Sequence, residues 1–150
     1  MATNVDLIPD AKLWNEGRGV DPESWIKMSG SYDLAVGYTF IFWPEFVVID
    51  GYVLRQGTTA SNLREWEKTG SNRKAIEAVL NHIHIADIHY GMTASEAQLR
   101  HLGRVLQTIY RMKLAADYPE RSFEVHFNDE EGLDPIDYEL TFFQAPLQEP

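Results

Sequence analysis

Two segments near the end of the chain alternate strictly between apolar and polar residues. In residues 123–127, two phenylalanines and a valine alternate with a glutamate and a histidine, and residues 138–142 repeat this pattern. Because successive side chains of a strand point to opposite faces, each segment predicts a strand with one core face and one solvated face. The polar connection between the two segments predicts a β-hairpin over residues 122–143.

The middle of the chain, residues 60–118, has the apolar periodicity of helices instead. Apolar residues recur at intervals of three or four over residues 75–86 and again over residues 99–112. This spacing predicts a short helix that ends at Gly70, a second helix that runs as far as Gly91, and a third helix after it.

Several helix boundaries can be predicted from individual residues. Thr93 and Glu96 have the spacing of a capping box, which would begin the third helix, and Pro119 disfavours helical backbone before it and would end that helix. Residues 1–20 predict irregular structure, and Asp21, followed by a proline, predicts the cap of a short helix.

Residues 33–55 are rich in β-branched and aromatic residues, and they predict three strands. The first would run from Leu34 to Trp43, with an extension of the preceding helix over residues 32–38 as the alternative. Asp50 and Gly51 form a dipeptide typical of the tight turn that joins the other two strands.

The order of strands, then helices, then a hairpin predicts an α+β fold. We expect one domain over residues 1–150, with an antiparallel sheet of about four or five strands covered on one face by about three main helices.

Negative charge is concentrated in the last quarter of the chain. Residues 114–150 hold ten carboxylates and one base, whereas residues 58–113 carry a net charge of +3 and residues 1–57 a net charge of −4. An overall charge of −10 disfavours nucleic acid, because phosphate contacts would have to overcome long-range repulsion. The same asymmetry favours a basic protein partner.

Composition restricts the environment further. The chain has no cysteine, which excludes disulfides and thiolate chemistry and fits a reducing cytoplasm. The first ten residues lack the pattern of a signal peptide, and the longest apolar stretch, residues 34–49, is interrupted and shorter than a membrane span. We therefore expect a cytoplasmic protein that does not enter the membrane.

These observations predict a small acidic protein-binding module without catalysis of its own, such as an immunity protein that neutralises a basic, nuclease-like toxin. No catalytic motif of high specificity occurs in the chain. A subunit of a larger complex, with an apolar surface covered by a neighbour, is a related hypothesis, and homo-oligomerisation is left open. The predicted partner-binding residues are the carboxylates of the tail hairpin: Glu124, Asp129, Glu130, Glu131, Asp134, Asp137 and Glu139.

The alternative function is a metal-binding protein or a metal-dependent hydrolase. His82, His84, Asp87 and His89 lie within eight residues, and such side chains are ligands for Zn²⁺. Ligands on one helix face must be three or four residues apart, so on a helix only His84 and Asp87 could act together. In an extended segment, His82 and His84 would share a face instead.

Two further polar groups bear on the interpretation. His126 could lie opposite Asp137 or Glu139 on the polar face of the hairpin, which would raise the pKa of the histidine. Arg100, Arg104 and Arg111 form a stripe on the third helix, and in an acidic protein we expect this stripe to pair with carboxylates elsewhere in the chain.

Overall fold

The computed structural model describes residues 6–146, which divide into two compact units, residues 6–41 and residues 42–146. Across the described residues the fold is α+β, with six α-helices and five strands in two small antiparallel sheets.

The first unit is helical. Its elements are α1 (Pro9–Leu13), α2 (Pro22–Ser29) and α3 (Tyr32–Phe42), the last of which ends one residue beyond the unit. Asp21 caps α2 as predicted, because its carboxylate accepts hydrogen bonds from the backbone amide of Ser24 at 3.0 Å and from its hydroxyl at 2.7 Å.

The predicted strand from Leu34 to Trp43 is wrong, since this segment forms α3. The alternative, helical structure over residues 32–38, is correct, although α3 is a separate helix and not an extension of α2. The hydroxyl of Ser31 accepts the amide of Leu34 at 3.1 Å and so satisfies one free donor of the first turn. The residues of α3 are apolar on all sides, so neither a period of 2 nor a period of 3.6 distinguished the two structures. The expectation of irregular structure over residues 1–20 is also wrong for Pro9–Leu13, which form α1, and residues 1–5 of that prediction lie outside the described residues.

The second unit begins with the predicted hairpin of β1 (Phe46–Ile49) and β2 (Tyr52–Arg55). Asp50 and Gly51 have φ angles of 50° and 83°, which is the left-handed backbone that a two-residue turn of this kind requires. Two helices follow, α4 (Ala60–Glu67) and α5 (Arg73–Leu80). A cluster of buried side chains lies between the hairpin and these helices: Leu54, Leu63 and Ile76.

The second helix is much shorter than predicted, because α5 ends at Leu80 rather than continuing to Gly91. The next residues form β3 (Ile83–His84) and a 3₁₀ turn over Ile85–Ile88. The apolar pattern of this stretch instead reflects pairing with the last strand, in which Ile83 lies opposite Leu140.

The third helix, α6 (Glu96–Asp117), stops before Pro119 as predicted but begins with a different capping box. Ser95 and Gln98 exchange the two capping hydrogen bonds at 3.1 and 2.9 Å. The carboxylate of Glu96 accepts the amide of Gly132 at 3.0 Å instead, so the box predicted for Thr93 and Glu96 does not form.

The predicted tail hairpin is present as β4 (Phe123–Phe127) and β5 (Glu139–Gln144). Together with β3 they form a sheet in the order β3-β5-β4. Val125, Leu140 and Phe142 are buried, as the alternation predicted.

Helices cover both faces of this sheet, and not one face as expected. On one face, Phe142 contacts Tyr110 of α6 with ring centroids 6.1 Å apart. On the other face, the hydroxyl of Thr141 donates to the carbonyl of Ala78 in α5 at 2.5 Å. The polar face of the hairpin is therefore only partly solvated.

The expectation of one continuous sheet is wrong because side chains of α5, rather than backbone pairing, satisfy the outer edge of β2. Glu77, fully buried, accepts the amide of Val53 at 3.2 Å. Asn81, also fully buried, accepts the amide of Arg55 at 3.0 Å and donates to Val53 at 3.0 Å and to Phe142 of β5 at 3.2 Å. These two residues connect the two sheets.

Candidate protein-binding surface

The connection between β4 and β5, residues 128–138, is held by hydrogen bonds within itself and by one to the start of α6. Tyr138, which is buried, donates its hydroxyl to the carbonyl of Glu130 at 3.0 Å, and Asn128 donates to the carbonyl of Asp137 at 3.1 Å. The bond from Gly132 to Glu96 joins the connection to the start of α6. We name residues 128–138 the acidic loop.

Four of the seven predicted partner-binding carboxylates lie together on the acidic loop and are exposed. Glu130, Asp134 and Asp137 form no ion pair with any residue in the range 6–146. The side chain of Glu131 is 86% exposed, with its carboxylate 3.5 Å from Arg100. Exposed pairs of this kind contribute little energy, so Glu131 can exchange its partner readily.

Asp129, the fifth, has a different environment because its carboxylate binds two arginines of α6. Arg100 donates through Nε at 2.8 Å, and Arg104 donates through Nε at 2.6 Å and Nη2 at 3.0 Å. These hydrogen bonds hold the pKa of Asp129 below its ordinary value, and the bonds from Arg104 contribute most to this shift. Asp129 thus anchors the acidic loop to α6, and its charge is compensated locally.

The predicted pairing of the arginine stripe is confirmed for Arg100 and Arg104. Arg111 differs, since it donates to the backbone carbonyl of Val125 at 3.2 Å.

The two remaining predicted residues lie on the strands and are paired with histidines. Glu124 accepts a hydrogen bond from His126 at 2.9 Å, which lowers the pKa of the carboxylate. Glu139 lies 3.2 Å from Nδ1 of His84. Glu124 is four residues before the acidic loop, about 13 Å along the strand, and so stands apart from the exposed group.

The proposed opposition of His126 to Asp137 or Glu139 is wrong. In the observed register His126 lies opposite Thr141, and its ring stacks on Phe143 with centroids 5.3 Å apart.

Exposed apolar side chains lie on the acidic loop and on the segment that precedes α6, and no sequence pattern indicated them. Ile136, within the acidic loop, is 47% exposed. Tyr90 and Met92 are 87% and 73% exposed, and they lie on the segment between the 3₁₀ turn of residues 85–88 and α6. That 3₁₀ turn contacts residues 135–137 of the acidic loop, and α6 contacts the loop through Glu96. Gly91, with a φ of 74°, turns the chain between Tyr90 and Met92.

The histidine cluster does not assemble into a metal centre in the described part of the chain. His82 and His84 share a face, with ring centroids 4.9 Å apart, because this segment is extended rather than helical. Nδ1 of His82 donates to the carbonyl of Val79 at 2.5 Å, and Nδ1 of His84 donates to the carbonyl of Ile136 at 2.7 Å. Neither these histidines, nor Asp87 and His89, nor any other potential ligands in residues 6–146 form a group of three or more that could hold a metal ion.

None of the helices within residues 6–146 combines the length and the apolarity needed to cross a membrane.

Comparison with protein-family models, with curated proteins and with solved structures finds no match to this chain in any of the three.

Proposed function

We propose that this protein is a non-catalytic protein-binding module whose acidic loop binds a basic partner. The observation that carries the proposal is the set of four exposed carboxylates within the eight residues 130–137, three of them without an ion pair to a described residue. Where a fold does not compensate such charges internally, a cationic surface can compensate them on binding.

The physical advantage of this arrangement lies mainly in the rate of association. A concentrated negative field accelerates the encounter with a cationic surface by about 10-fold or more at low ionic strength. Affinity and specificity then come from a few apolar anchors, since charged pairs at the rim of an interface contribute little. Ile136 supplies an exposed apolar side chain within the acidic loop, and Tyr90 and Met92 supply two more on the segment that precedes α6.

The specific form that we propose is an inhibitor, or immunity protein, of a basic nuclease-like enzyme. Such an enzyme binds the phosphates of its substrate through lysine and arginine side chains. Carboxylates spaced along a fixed loop would occupy the same cationic groups and so compete with the phosphates.

The test is capture of partners from a lysate of the native host, with the wild-type chain and two variants as bait. The first variant carries Glu130→Lys, Glu131→Lys and Asp134→Lys on the acidic loop. Three charge reversals elsewhere give the matched control the same net charge, at carboxylates that are 89%, 77% and 67% exposed: Glu16→Lys, Glu23→Lys and Glu65→Lys.

We expect the wild type and the control to retain the same basic protein at low salt, and the loop variant to lose it. Raising the salt in the wash should release the partner from the wild type, because screening weakens exposed charge pairs. Equal retention by the loop variant, or the absence of any basic partner, would remove the proposal.

A second candidate function, a subunit of a larger assembly, is favoured by the apolar surface of the first unit. Neither α2 nor α3 has a buried residue, and their large apolar side chains are exposed: Ile26 58%, Met28 66%, Tyr32 91%, Leu34 49%, Val36 58% and Phe40 71%. Contiguous exposed apolar side chains mark interaction sites.

The two candidates respond to salt in opposite ways. A partner held by α3 should stay bound in high-salt washes, because apolar contacts are not screened, and should be lost from the variant Val36→Ser with Phe40→Ser. A partner whose retention is unaffected by these two substitutions is not held by α3.

A further inference from the structure

A cavity of about 560 Å³ lies in the second unit, away from the residues of the acidic loop. It is formed by the turn between β1 and β2, the first residues of α5, the segment 120–122 and the residues at and after the end of β5. Three basic residues, Arg73, Lys74 and Arg121, line it, together with one carboxylate, Glu120.

These three cations are exceptional in a chain with a net charge of −10. Of its thirteen lysines and arginines, all of which lie in the described range, eight form ion pairs with carboxylates of that range. Three of the five that do not are Arg73, Lys74 and Arg121. Three of the five cations without an ion pair in the described range thus line one cavity. Arg73 and Lys74 also interact electrostatically with Glu77 and Glu124, but these carboxylates accept hydrogen bonds from Gln144 and His126 instead.

Aromatic rings, a backbone carbonyl and an amide side chain lie in direct contact with these cations. The guanidinium of Arg73 lies 5.2 Å from the ring centroid of Tyr52, and Nζ of Lys74 lies 4.7 Å from that of Phe143. Such contacts hold a cation without neutralising it.

Arg121 lies 5.7 Å from the ring centroid of Tyr118 and donates hydrogen bonds through one nitrogen only. Its Nη1 donates to the carbonyl of Gly51 and to Oε1 of Gln144, both at 3.0 Å. The other guanidinium donors form no hydrogen bond with a described residue and can serve a ligand. Gln144 is fixed in turn, because its amide donates to the same Gly51 carbonyl at 2.9 Å and to buried Glu77 at 3.1 Å.

We propose that this cavity binds a small ligand that carries a phosphate group. Two guanidinium groups match the geometry of phosphate oxygens, and an ammonium adds a compact third charge. A cavity of this volume holds more than a single ion, since small-molecule sites in proteins span about 300 to 1,000 Å³. The site uses no residue of the acidic loop, so it is independent of the proposed protein-binding function.

The experiment is a titration of the intact chain with inorganic pyrophosphate, followed by calorimetry and by amide chemical shifts at constant ionic strength. Citrate serves as the carboxylate comparison. The test variant is Arg73→Gln with Lys74→Gln, and both side chains are exposed, so the fold should tolerate the change. The matched control is Lys27→Gln with Lys68→Gln, two side chains that are each 70% exposed and lie outside the cavity.

We expect saturable binding of pyrophosphate with a Kd below about 1 mM, shifts centred on the amides of Gly51, Arg73 and Ser122, and weaker binding of citrate. The test variant should bind about 10-fold or more weakly, since the loss of even one charge-assisted hydrogen bond weakens binding by about that factor, and the control should stay within about twofold of wild type. Absence of saturation, equal weakening in the control, tighter binding of citrate, or shifts remote from the cavity would each overturn the assignment.

Discussion

Replacing Asn81 by alanine should destabilise the second unit more than its small loss of volume suggests. The side chain is fully buried and makes three hydrogen bonds with backbone groups, to Val53 at 3.0 Å, to Arg55 at 3.0 Å and to Phe142 at 3.2 Å. Asn81→Ala leaves two carbonyls and one amide without these partners. At about 1 to 1.5 kcal/mol for each bond, the free energy of unfolding should fall by about 3 to 4.5 kcal/mol.

This loss can be measured by urea denaturation followed by far-UV circular dichroism, with the slope of the transition checked for constancy. The matched control is Asn62→Ala, because Asn62 is exposed on α4 and its side chain forms no hydrogen bond with a described residue. The control should stay within about 0.5 kcal/mol of wild type, as exposed substitutions usually do.

A decrease of less than about 1 kcal/mol for Asn81→Ala would contradict the view that this side chain connects the two sheets. So would a loss equal to that of Asn62→Ala. Amide exchange gives an independent measure, since the amide of Arg55 should lose its protection in the Asn81 variant and retain it in the control.

Two further predictions concern packing and pH. Gly103→Ala should lower the free energy of unfolding by about 1 to 2 kcal/mol, because a Cβ there would overlap the ring of Phe127. In a Phe127→Ala background the same change should raise it by up to about 1 kcal/mol, because alanine favours helix more than glycine does. A loss of stability that persists in that background would disprove the steric explanation. Burial raises the pKa of the Glu77 carboxyl in the folded state. The stability that Glu77 contributes through this shift is therefore complete below the pKa of the unfolded state and is lost as pH rises through the pKa of the folded state. The unfolding free energy of wild type minus that of Glu77→Gln should therefore fall as pH rises from about 4, and a difference that is flat or rises would contradict the shift.

The sequence was sufficient to predict elements whose signal is local. The alternation in residues 123–127, the Asp50-Gly51 turn and the proline after α6 each act through neighbouring residues, and each prediction is confirmed. The strand prediction for the segment of α3 was wrong because apolar residues lie on all sides of this helix, so its sequence shows neither helical nor strand periodicity.

Other features depend on contacts between residues that are distant in the chain. Glu77 and Asn81 act on Val53 and Arg55 from 24 and 26 residues away, which no local pattern indicates. A sequence that does not reveal these contacts cannot show that the second edge of β2 binds side chains and not another strand.

The candidate surface was predictable only in part, because some of its features are local in sequence and others depend on distant residues. The carboxylates of residues 129–137 are close in sequence, so their grouping follows directly from it. That Asp129 is compensated by Arg100 and Arg104 depends on side chains 29 and 25 residues away. The exposure of Tyr90 and Met92 depends on how the chain turns before α6, and an apolar residue gives no sequence signal of its exposure.

The most direct test of the acidic loop as a binding surface is the association rate with the captured basic partner, measured by stopped flow over a range of salt concentrations. The wild-type rate should fall steeply as salt rises, and the variant with Glu130→Lys, Glu131→Lys and Asp134→Lys should associate about 10-fold or more slowly at low salt, with little remaining salt dependence. The control with Glu16→Lys, Glu23→Lys and Glu65→Lys should stay closer to wild type. An unchanged association rate of the loop variant at low salt would contradict the proposal that these carboxylates attract the partner.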